Sequence, residues 1–244
     1  MNNNDWNNTT FGRANDKEIE LEKSTTMSVL MRKVYTWMAM ALVITGICAY
    51  GVANSPALLQ AIYGNPAVII IMCVAELGLV IWLSARIHKM SLTTATMMFI
   101  VYSVFNGATL ASIFIVYTQA SIAKVFFITA GTFGLMALVG STTKVDLSKM
   151  GGILLMGLIG VIIASIANIF IKSTGFDYIL SIITVLIFVG LTAYDTQKIK
   201  QMLLMAPDTG ETAQKVALMG ALSLYLDFIN LFIHLLRLFG NSRD

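Results

Sequence analysis

Charged residues are scarce in this chain. Asp, Glu, Lys and Arg make up 12% of the 244 residues, whereas hydrophobic residues make up 57%; a soluble domain carries about 25% charged residues. Such a chain cannot cover its own surface with polar groups, so the composition excludes a soluble globular protein and predicts an integral membrane protein. The net charge of +3 does not indicate a nucleic-acid partner, because the lysines and arginines are scattered between apolar spans.

Cysteine and proline are also rare. The two cysteines, Cys48 and Cys73, lie inside apolar runs without a nearby Cys or His at metal-ligand spacing. We therefore expect both to be small core residues, and we expect no cofactor. Of the three prolines, Pro56 and Pro66 bracket the first loop, as expected of residues at helix ends.

What the chain does contain is seven long apolar runs. They predict an all-α polytopic membrane protein with seven transmembrane helices, because about 20 apolar residues cross a bilayer. The runs cover residues 32–53, 66–86, 93–117, 121–142, 150–171, 177–199 and 214–239. The short loops predict that neighbours in sequence pack as antiparallel neighbours. Small residues at helical spacing, including Gly131, Gly134 and Gly160, predict close helix contacts.

The first 23 residues differ in character from the rest. They are polar, Asn-rich and mildly acidic, unlike a cationic signal peptide or an Arg-rich transit peptide. We expect residues 1–23 to form a disordered tail and residues 24–244 to form the transmembrane domain. The first helix is predicted to begin near Ser24 or Thr25, either of which could cap it.

The distribution of positive charge predicts the orientation. If the N-terminus is cytoplasmic, twelve of the sixteen lysines and arginines fall in cytoplasmic segments. The positive-inside rule then predicts a cytoplasmic N-terminus and a C-terminus on the opposite side. In a bacterium this would be the cytoplasmic (inner) membrane.

The last apolar run carries a polar stripe. Ser223, Asp227, Asn230 and His234 recur at positions i, i+4, i+7 and i+11, so they lie on one face of a helix. A charged residue at the centre of a membrane helix costs about 2.5–3.5 kcal/mol on insertion scales. The stripe must therefore face protein or water rather than lipid.

The preceding run brings a second aspartate, Asp195. Residues 206–212 are the only stretch rich in helix breakers between the two runs and should form the turn. On two antiparallel helices joined there, Asp195 and Asp227 would lie at similar depth. We interpret this pair as the functional centre and expect the two carboxyl groups to share a proton, since both cannot ionise cheaply when close together in a medium of low dielectric.

Other polar residues interrupt the apolar runs. Glu76 lies near the middle of the second run, where a carboxyl group marks a functional site by default. Arg86, at the cytoplasmic end of the same run, is either a counter-charge for Asp195 or an anchor at the membrane interface. We expect Asn106 to line a water-filled cavity. His234 could relay protons or simply be hydrogen-bonded within the bundle.

A pair of intramembrane carboxyl groups fits three activities: a proteolytic acid dyad, a proton or cation exchange site, and a pH-sensitive latch on a cation pathway. Intramembrane aspartyl proteases use Tyr-Asp on one span, Gly-x-Gly-Asp on the next, and a later Pro-Ala-Leu. Tyr194-Asp195 fits this pattern, but Leu224-Tyr225-Leu226-Asp227 lacks both glycines and no Pro-Ala-Leu follows. We therefore expect that the protein is not an enzyme.

Three segments carry more specific motifs. They are Ala221-Leu-Ser-Leu-Tyr-Leu-Asp-Phe-Ile-Asn-Leu-Phe-Ile-His-Leu-Leu-Arg-Leu-Phe-Gly240, Gly190-Leu-Thr-Ala-Tyr-Asp-Thr-Gln-Lys-Ile199 and Glu76-Leu-Gly78. They resemble the C-terminal signature, the sixth-span motif and the second-span pattern of the Bax inhibitor-1 (transmembrane Bax inhibitor motif) family, in a bacterial-type member. The resemblance covers nearly the whole chain from the first span onward.

The resemblance implies a seven-helix fold in which six helices surround the last one. It also implies a pH-sensitive calcium leak, in which Asp195 and Asp227 hydrogen-bond through shared protons, change state on deprotonation and contact Ca²⁺ transiently as the permeant ion. Arg86 is the nearest match to an arginine that latches the pair in this family. Eukaryotic relatives suppress cell death, and some bacterial relatives modulate an AAA-type membrane protease.

Two functional hypotheses follow. The first is a pH-gated, calcium-permeable channel or leak. The second is a regulatory membrane protein whose polar tail or loops bind a membrane protease or another partner in a stress or cell-death pathway. The expected partners are the lipid bilayer and calcium ions, and a monomer is compatible with the sequence. The polar residues expected to line the pore or cavity are Glu76, Asn106, Ser223, Asn230 and His234.

Overall fold

The computed structural model describes residues 4–206 and 208–243, with side chains from residue 20 onward. The described residues form eight α-helices and a 3-10 turn, Ile87–Lys89, that follows the third helix. The helices are α1 (Asn4–Ala53), α2 (Pro56–Tyr63), α3 (Pro66–Arg86), α4 (Leu92–Val116), α5 (Gln119–Thr142), α6 (Ser148–Ile171), α7 (Thr174–Leu204) and α8 (Glu211–Phe239). The prediction of an all-α fold is confirmed.

All of these helices except α2 are long and apolar enough to cross a membrane, which confirms the seven predicted spans. Their outward faces carry large apolar side chains, such as Phe127 at 73% and Phe170 at 82% exposure. Large apolar surfaces on seven helices of membrane-spanning length are typical of a protein embedded in a bilayer. The protein is therefore an integral, multi-pass membrane protein.

The first predicted loop contains the short helix α2, which the sequence analysis missed. Pro56 and Pro66 are the first residues of α2 and α3, so the prediction that they lie at helix ends is confirmed. The side chain of Ser55 caps α2 by accepting a hydrogen bond from the Leu58 amide. A capping serine followed by proline is a helix-start signal that could have revealed α2.

Helix α1 begins much earlier than the sequence predicts. It extends back to Asn4, so the prediction of a start near Ser24 is wrong. Thr25 is not a cap, because its hydroxyl donates to the Leu21 carbonyl one turn earlier, as in a helix interior. Residues 17–23 contain lysines, glutamates, isoleucine and leucine without glycine or proline, which favours continued helix. Residues 1–3 of the predicted tail lie outside the described residues, and the division at residue 23 stays a prediction.

Helix α8 forms the core of the bundle. Leu224, Tyr225 and Leu231 on this helix are fully buried. Helices α1, α4, α5 and α7 pack directly on α8, whereas α3 and α6 lie further out and pack mainly on α4 and α7. The predicted central position of the last helix is confirmed, with the other six spans arranged around it in two shells.

Packing follows sequence order only in part. Helices α3 and α4, α6 and α7, and α7 and α8 pack as the short loops predict, but α1 packs chiefly on α4, and α5 chiefly on α7. Gly107 permits the contact of α4 with α1, because a Cβ there would lie 2.6 Å from the Thr45 carbonyl oxygen. Gly140 plays the same role on α5, where a Cβ would collide with the carbonyl of Ala193 on α7.

Three glycines selected from spacing do not lie at such contacts. A Cβ added at Gly131, Gly134 or Gly160 would meet no atom within 4 Å, so the prediction of close contacts there is wrong. Spacing identifies one face of a helix, but the helix that meets this face depends on the order of helices around the bundle. Cys48 is half-buried, whereas Cys73 is exposed, so Cys73 is not the core residue that we predicted.

Candidate functional site

A cavity of about 820 Å³ lies between α3, α6, α7 and α8. It opens beside α7 and α8 because α3 and α6 stand in the outer shell. Leucine and isoleucine side chains of α6 line one side. The polar lining residues are Glu76, Tyr102, Tyr194, Asp195, Lys198, Ser223, Asp227 and Asn230.

The predicted aspartate pair lies in this cavity. Asp227 is 5% exposed, and its Oδ2 atom has no hydrogen-bond partner among the described residues. Asp195 is half-buried on the facing helix, and its carboxyl group lines the same cavity. The structure thus brings both aspartates to one cavity, whereas the shared proton between them stays a prediction.

Close packing of α7 on α8 positions the pair. Gly220 of α8 lies against Ile199 of α7, and a Cβ at Gly220 would approach the Ile199 side chain to 2.9 Å. Gly220 precedes Asp227 by two turns, and Ile199 follows Asp195 by about one turn. The glycine lets the two helix backbones approach, so that carboxyl groups from both helices reach the same cavity.

The cation beside the pair is Lys198. It follows Asp195 by three residues on α7 and lines the same cavity. Its ammonium nitrogen lies 5.6 Å from the centroid of the Tyr194 ring. Arg86 is the last residue of α3, is exposed and does not line the cavity. The structure does not bring Arg86 to the pair, and its role as a latch stays a prediction.

Glu76 is held by two side chains of α4. Its Oε1 accepts a hydrogen bond from the Thr109 hydroxyl at 2.8 Å, and its Oε2 accepts one from the Asn106 amide at 3.2 Å. Each oxygen of this carboxyl group, in the middle of a membrane helix, thus has a hydrogen-bond donor. Glu76 therefore lines the same cavity as Asp227 but has hydrogen-bond partners of its own.

Asn106 connects Glu76 to a buried network. Its Oδ1 accepts a hydrogen bond from the Tyr225 hydroxyl at 2.9 Å, and the Tyr225 oxygen lies 2.7 Å from the Thr45 hydroxyl. The Thr45 hydroxyl also donates to the Ser103 carbonyl at 3.0 Å. This network crosses α3, α4, α8 and α1. Asn106 is buried within this network and, contrary to the prediction, does not line the cavity. Tyr225 and Thr45 were not predicted from the sequence.

The polar stripe of α8 divides between two surroundings. Ser223 and Asn230 line the cavity together with Asp227, as the helical spacing predicts. His234 lies beyond the cavity, half-buried, with its Nδ1 atom 3.4 Å from the Ser181 hydroxyl of α7. Of the two alternatives, this position fits a histidine that is hydrogen-bonded within the bundle.

Gln197 fixes the loop at one end of the cavity. Its Oε1 accepts a hydrogen bond from the Leu147 amide at 2.9 Å, and its Nε2 donates to the Val145 carbonyl at 2.8 Å. Asp146 lies between Val145 and Leu147, and hydrogen bonds from Ser148 hold the pKa of its carboxyl group below the usual range. Gln197 was missed because its partners lie some 50 residues away in sequence.

Known proteins match this chain along most of its length. A family model described as "Inhibitor of apoptosis-promoting Bax1" matches residues 27–244, which include every residue of the cavity. The chain belongs to the Bax inhibitor-1 family. The motif-based resemblance is therefore confirmed, and the family match covers all seven candidate spans apart from the first turns of the first.

Bacterial relatives support the membrane assignment. "Inner membrane protein YbhL" of Escherichia coli K12 is 49% identical over 219 residues, which cover 89% of this chain and 93% of YbhL. "Uncharacterized protein RP147" of Rickettsia prowazekii is 42% identical and covers 88% and 90% of the two chains. An uncharacterized membrane protein of Streptococcus pyogenes serotype M1 is 34% identical and covers 93% and 99%. Like these relatives, the chain is a bacterial-type member of the Bax inhibitor-1 family.

The acidic residues that line the cavity are Glu76, Asp195 and Asp227. Among the residues that the structure describes, no group of three or more His, Cys, Asp or Glu could hold a metal ion. Calcium prefers six to eight oxygen ligands.

Proposed function

We propose that this Bax inhibitor-1 family member is a pH-sensitive, calcium-permeable channel or leak, gated by protonation of Asp195 and Asp227. The observation that carries the proposal is the shared cavity: both carboxyl groups line it, and the buried Asp227 keeps one oxygen without a hydrogen-bond partner in the described part of the chain. A carboxyl oxygen in this position is available to a proton or a cation.

The gating step follows from the electrostatics of the pair. With one shared proton, one carboxyl group donates a hydrogen bond to the other and links α7 to α8. Loss of that proton leaves two negative charges close together in a medium of low dielectric, where their repulsion is strong. The link is then lost, the two helices separate locally, and the negative charge attracts cations into the cavity. Ion flux should therefore increase as pH rises.

The cavity offers oxygen ligands along the proposed path. Glu76 lies on α3, opposite the aspartates, and Ser223 and Asn230 flank Asp227 on α8. Carboxylate, hydroxyl and amide oxygens are ligands that Ca²⁺ accepts. We place the Lys198 end of the cavity on the cytoplasmic side, with the N-terminus in and the C-terminus out, on the basis of the charge distribution.

Calcium flux into liposomes that hold the purified protein tests the proposal. We expect the flux of the wild type to rise between about pH 5 and pH 8, the range over which a buried carboxyl pair can titrate. Asp195→Asn and Asp227→Asn each remove one ionisation and keep a hydrogen-bond donor, so both should flatten the pH response. Asp208→Asn is the matched control, because Asp208 is exposed in the loop before α8, outside the cavity, and accepts a hydrogen bond from the Gly210 amide. If both cavity variants keep the pH response of the wild type, the pair is not the sensor, and Glu76 and His234 become the candidates.

The length of α1 favours a second candidate function, regulation of a membrane protease or another partner. Its 50 residues span about 75 Å at 1.5 Å per residue, far more than the roughly 30 Å of a bilayer core. The surplus places exposed residues such as Glu20, Glu22 and Lys23 beyond the hydrocarbon. Deletion of residues 1–23 separates the two functions: loss of partner regulation with intact ion flux would favour the regulatory role.

A further inference from the structure

A second cavity opens on another side of the bundle, between α1 and α5. These helices pack on α7 and α8 rather than closely on each other, which leaves a groove of about 660 Å³ that we call the Lys200 groove. It is lined by Met27, Ser28, Met31 and Tyr35 of α1, by Phe133, Gly134, Ala137, Leu138 and Ser141 of α5, and by Lys200 of α7. None of these residues lines the aspartate cavity.

Lys200 is the charged residue of this groove, and it has no acidic partner there. Its ammonium donates one hydrogen bond, to the Ser141 carbonyl at 2.6 Å, and can donate two more. Within residues 20–206 and 208–243, the ion pair that the structure contains is Lys215 with Glu211, at the start of α8. Because the ammonium is only half-buried, an anion can reach it from outside the protein.

The surroundings of Lys200 indicate what kind of anion fits. Ser28 and Tyr35 of α1 line the same groove as Lys200 and carry hydroxyl groups that can donate to phosphate oxygens, whereas the Ser141 hydroxyl donates to the Leu138 carbonyl of its own helix. The rest of the lining is mainly apolar, with Met31 and Phe133 among the buried residues. One groove thus combines a cation, hydroxyl groups and apolar walls, which matches a ligand with an anionic head and a hydrocarbon tail.

The position of the groove makes the bilayer the source of that ligand. Lys200 lies four residues before the end of α7, and its partner Ser141 lies one residue before the end of α5, so the ammonium stands near the membrane surface. The apolar walls run from there into the hydrocarbon layer. Basic pockets between transmembrane helices are known to bind anionic lipid head groups.

We propose that the Lys200 groove binds an anionic phospholipid. The phosphate contacts the Lys200 ammonium, and one acyl chain lies between α1 and α5 against Met31 and Phe133. The lipid then fills the gap between the two helices and gives Lys200 the negative partner that the described protein residues do not provide. The groove shares no lining residue with the aspartate cavity.

Native mass spectrometry of the full-length protein in detergent tests the proposal. Phosphatidylglycerol and phosphatidylcholine with identical acyl chains are the two probes. We expect the wild type to retain phosphatidylglycerol preferentially. Lys200→Gln should weaken its binding roughly five-fold, since one lysine near a membrane surface contributes about 1 kcal/mol. Lys200→Arg should keep the preference, and Lys89→Gln is the control for an exposed lysine outside the groove.

Two glycines of α5 provide a matched pair for the apolar part of the groove. Gly134 lines the groove, Gly131 does not, and a Cβ at either meets no atom within 4 Å. Gly134→Leu should therefore place its side chain in the groove and weaken lipid binding several-fold, whereas Gly131→Leu should bind lipid as the wild type does.

Three results would overturn the proposal. The first is equal retention of both lipids by the wild type. The second is wild-type lipid binding by Gly134→Leu, which would show that the head group binds Lys200 without using the groove. The third is a change of oligomeric mass rather than of lipid binding in Gly134→Leu, which would assign the groove to a second copy of the chain. If Lys200→Gln fails to give a monodisperse helical protein, the comparison of the two glycine variants decides alone.

Discussion

The buried network centred on Tyr225 provides a sharp test of what holds the bundle together. Tyr225 is fully buried, and its hydroxyl bonds to Asn106 and lies within hydrogen-bond distance of Thr45. Tyr225→Phe keeps the ring and leaves Asn106 Oδ1 without that donor, whereas Thr45 retains its bond to Ser103. A buried acceptor that loses its partner costs about 1–3 kcal/mol in proteins generally, and hydrogen bonds between membrane helices average about 0.6 kcal/mol. We expect a loss of about 1–2 kcal/mol in the free energy of unfolding.

Equilibrium unfolding in mixed micelles, with added denaturing detergent, measures this loss. Tyr102→Phe is the control, because Tyr102 is 4% exposed and packs edge-on against the Tyr225 ring, yet its hydroxyl has no hydrogen bond among the described residues. That variant should stay within about 0.5 kcal/mol of the wild type, as most substitutions away from such features do. Combining Tyr225→Phe with Asn106→Ala should cost less than the sum of the single changes. Equal losses for Tyr225→Phe and Tyr102→Phe would refute the structural importance of the network.

Three further predictions concern packing, the cavity loop and orientation. Gly140→Ala should destabilise the protein by about 1–3 kcal/mol, because its Cβ collides with a backbone carbonyl of α7. In the same unfolding assay, Gly131→Ala should be neutral or stabilising by up to about 1 kcal/mol, because the space around Gly131 is open. Gln197→Leu should release the loop before α6, which would be measured as faster amide hydrogen exchange at Leu147. Unchanged exchange at Leu147 would show that the hydrogen bonds of Gln197 do not hold the loop. Single cysteines at residues 2 and 243 should react with a membrane-impermeant reagent on opposite sides of the membrane; labelling from one side would be incompatible with seven spans.

Much of the fold could be predicted because hydropathy and helical periodicity are local properties. Seven apolar runs of membrane-spanning length are visible without knowledge of any contact, and so is the stripe that places Ser223 and Asp227 on one face. The true start of α1 is harder to predict, because polar helix-forming residues are compatible with both a helix and a tail. The glycines at helix contacts, such as Gly107 and Gly140, depend on which helices meet. Periodicity within one helix does not contain that information.

The candidate site could also be predicted only in part, for the same reason. The two aspartates could be identified because carboxyl groups are expensive in a membrane and must be placed together or hydrated. The partners of Glu76 could not, because Asn106 and Thr109 lie on another helix and resemble many other polar residues of the spans. Lys198 was overlooked in favour of Arg86, although its spacing of three residues from Asp195 places both on one helix face.

The central position of α8 also sets the order in which this protein can be completed. Helix α8 follows all the other described helices in the chain, yet it supplies the surface on which four of them pack. At roughly 5–20 residues per second, a ribosome needs about 1.5–6 s to synthesise its 29 residues. During that interval the inserted spans surround an unfilled centre, and Asn106 and Thr45 still lack Tyr225. A nascent chain interrupted there would expose these polar groups to lipid, a state that membrane quality control can distinguish from the finished bundle.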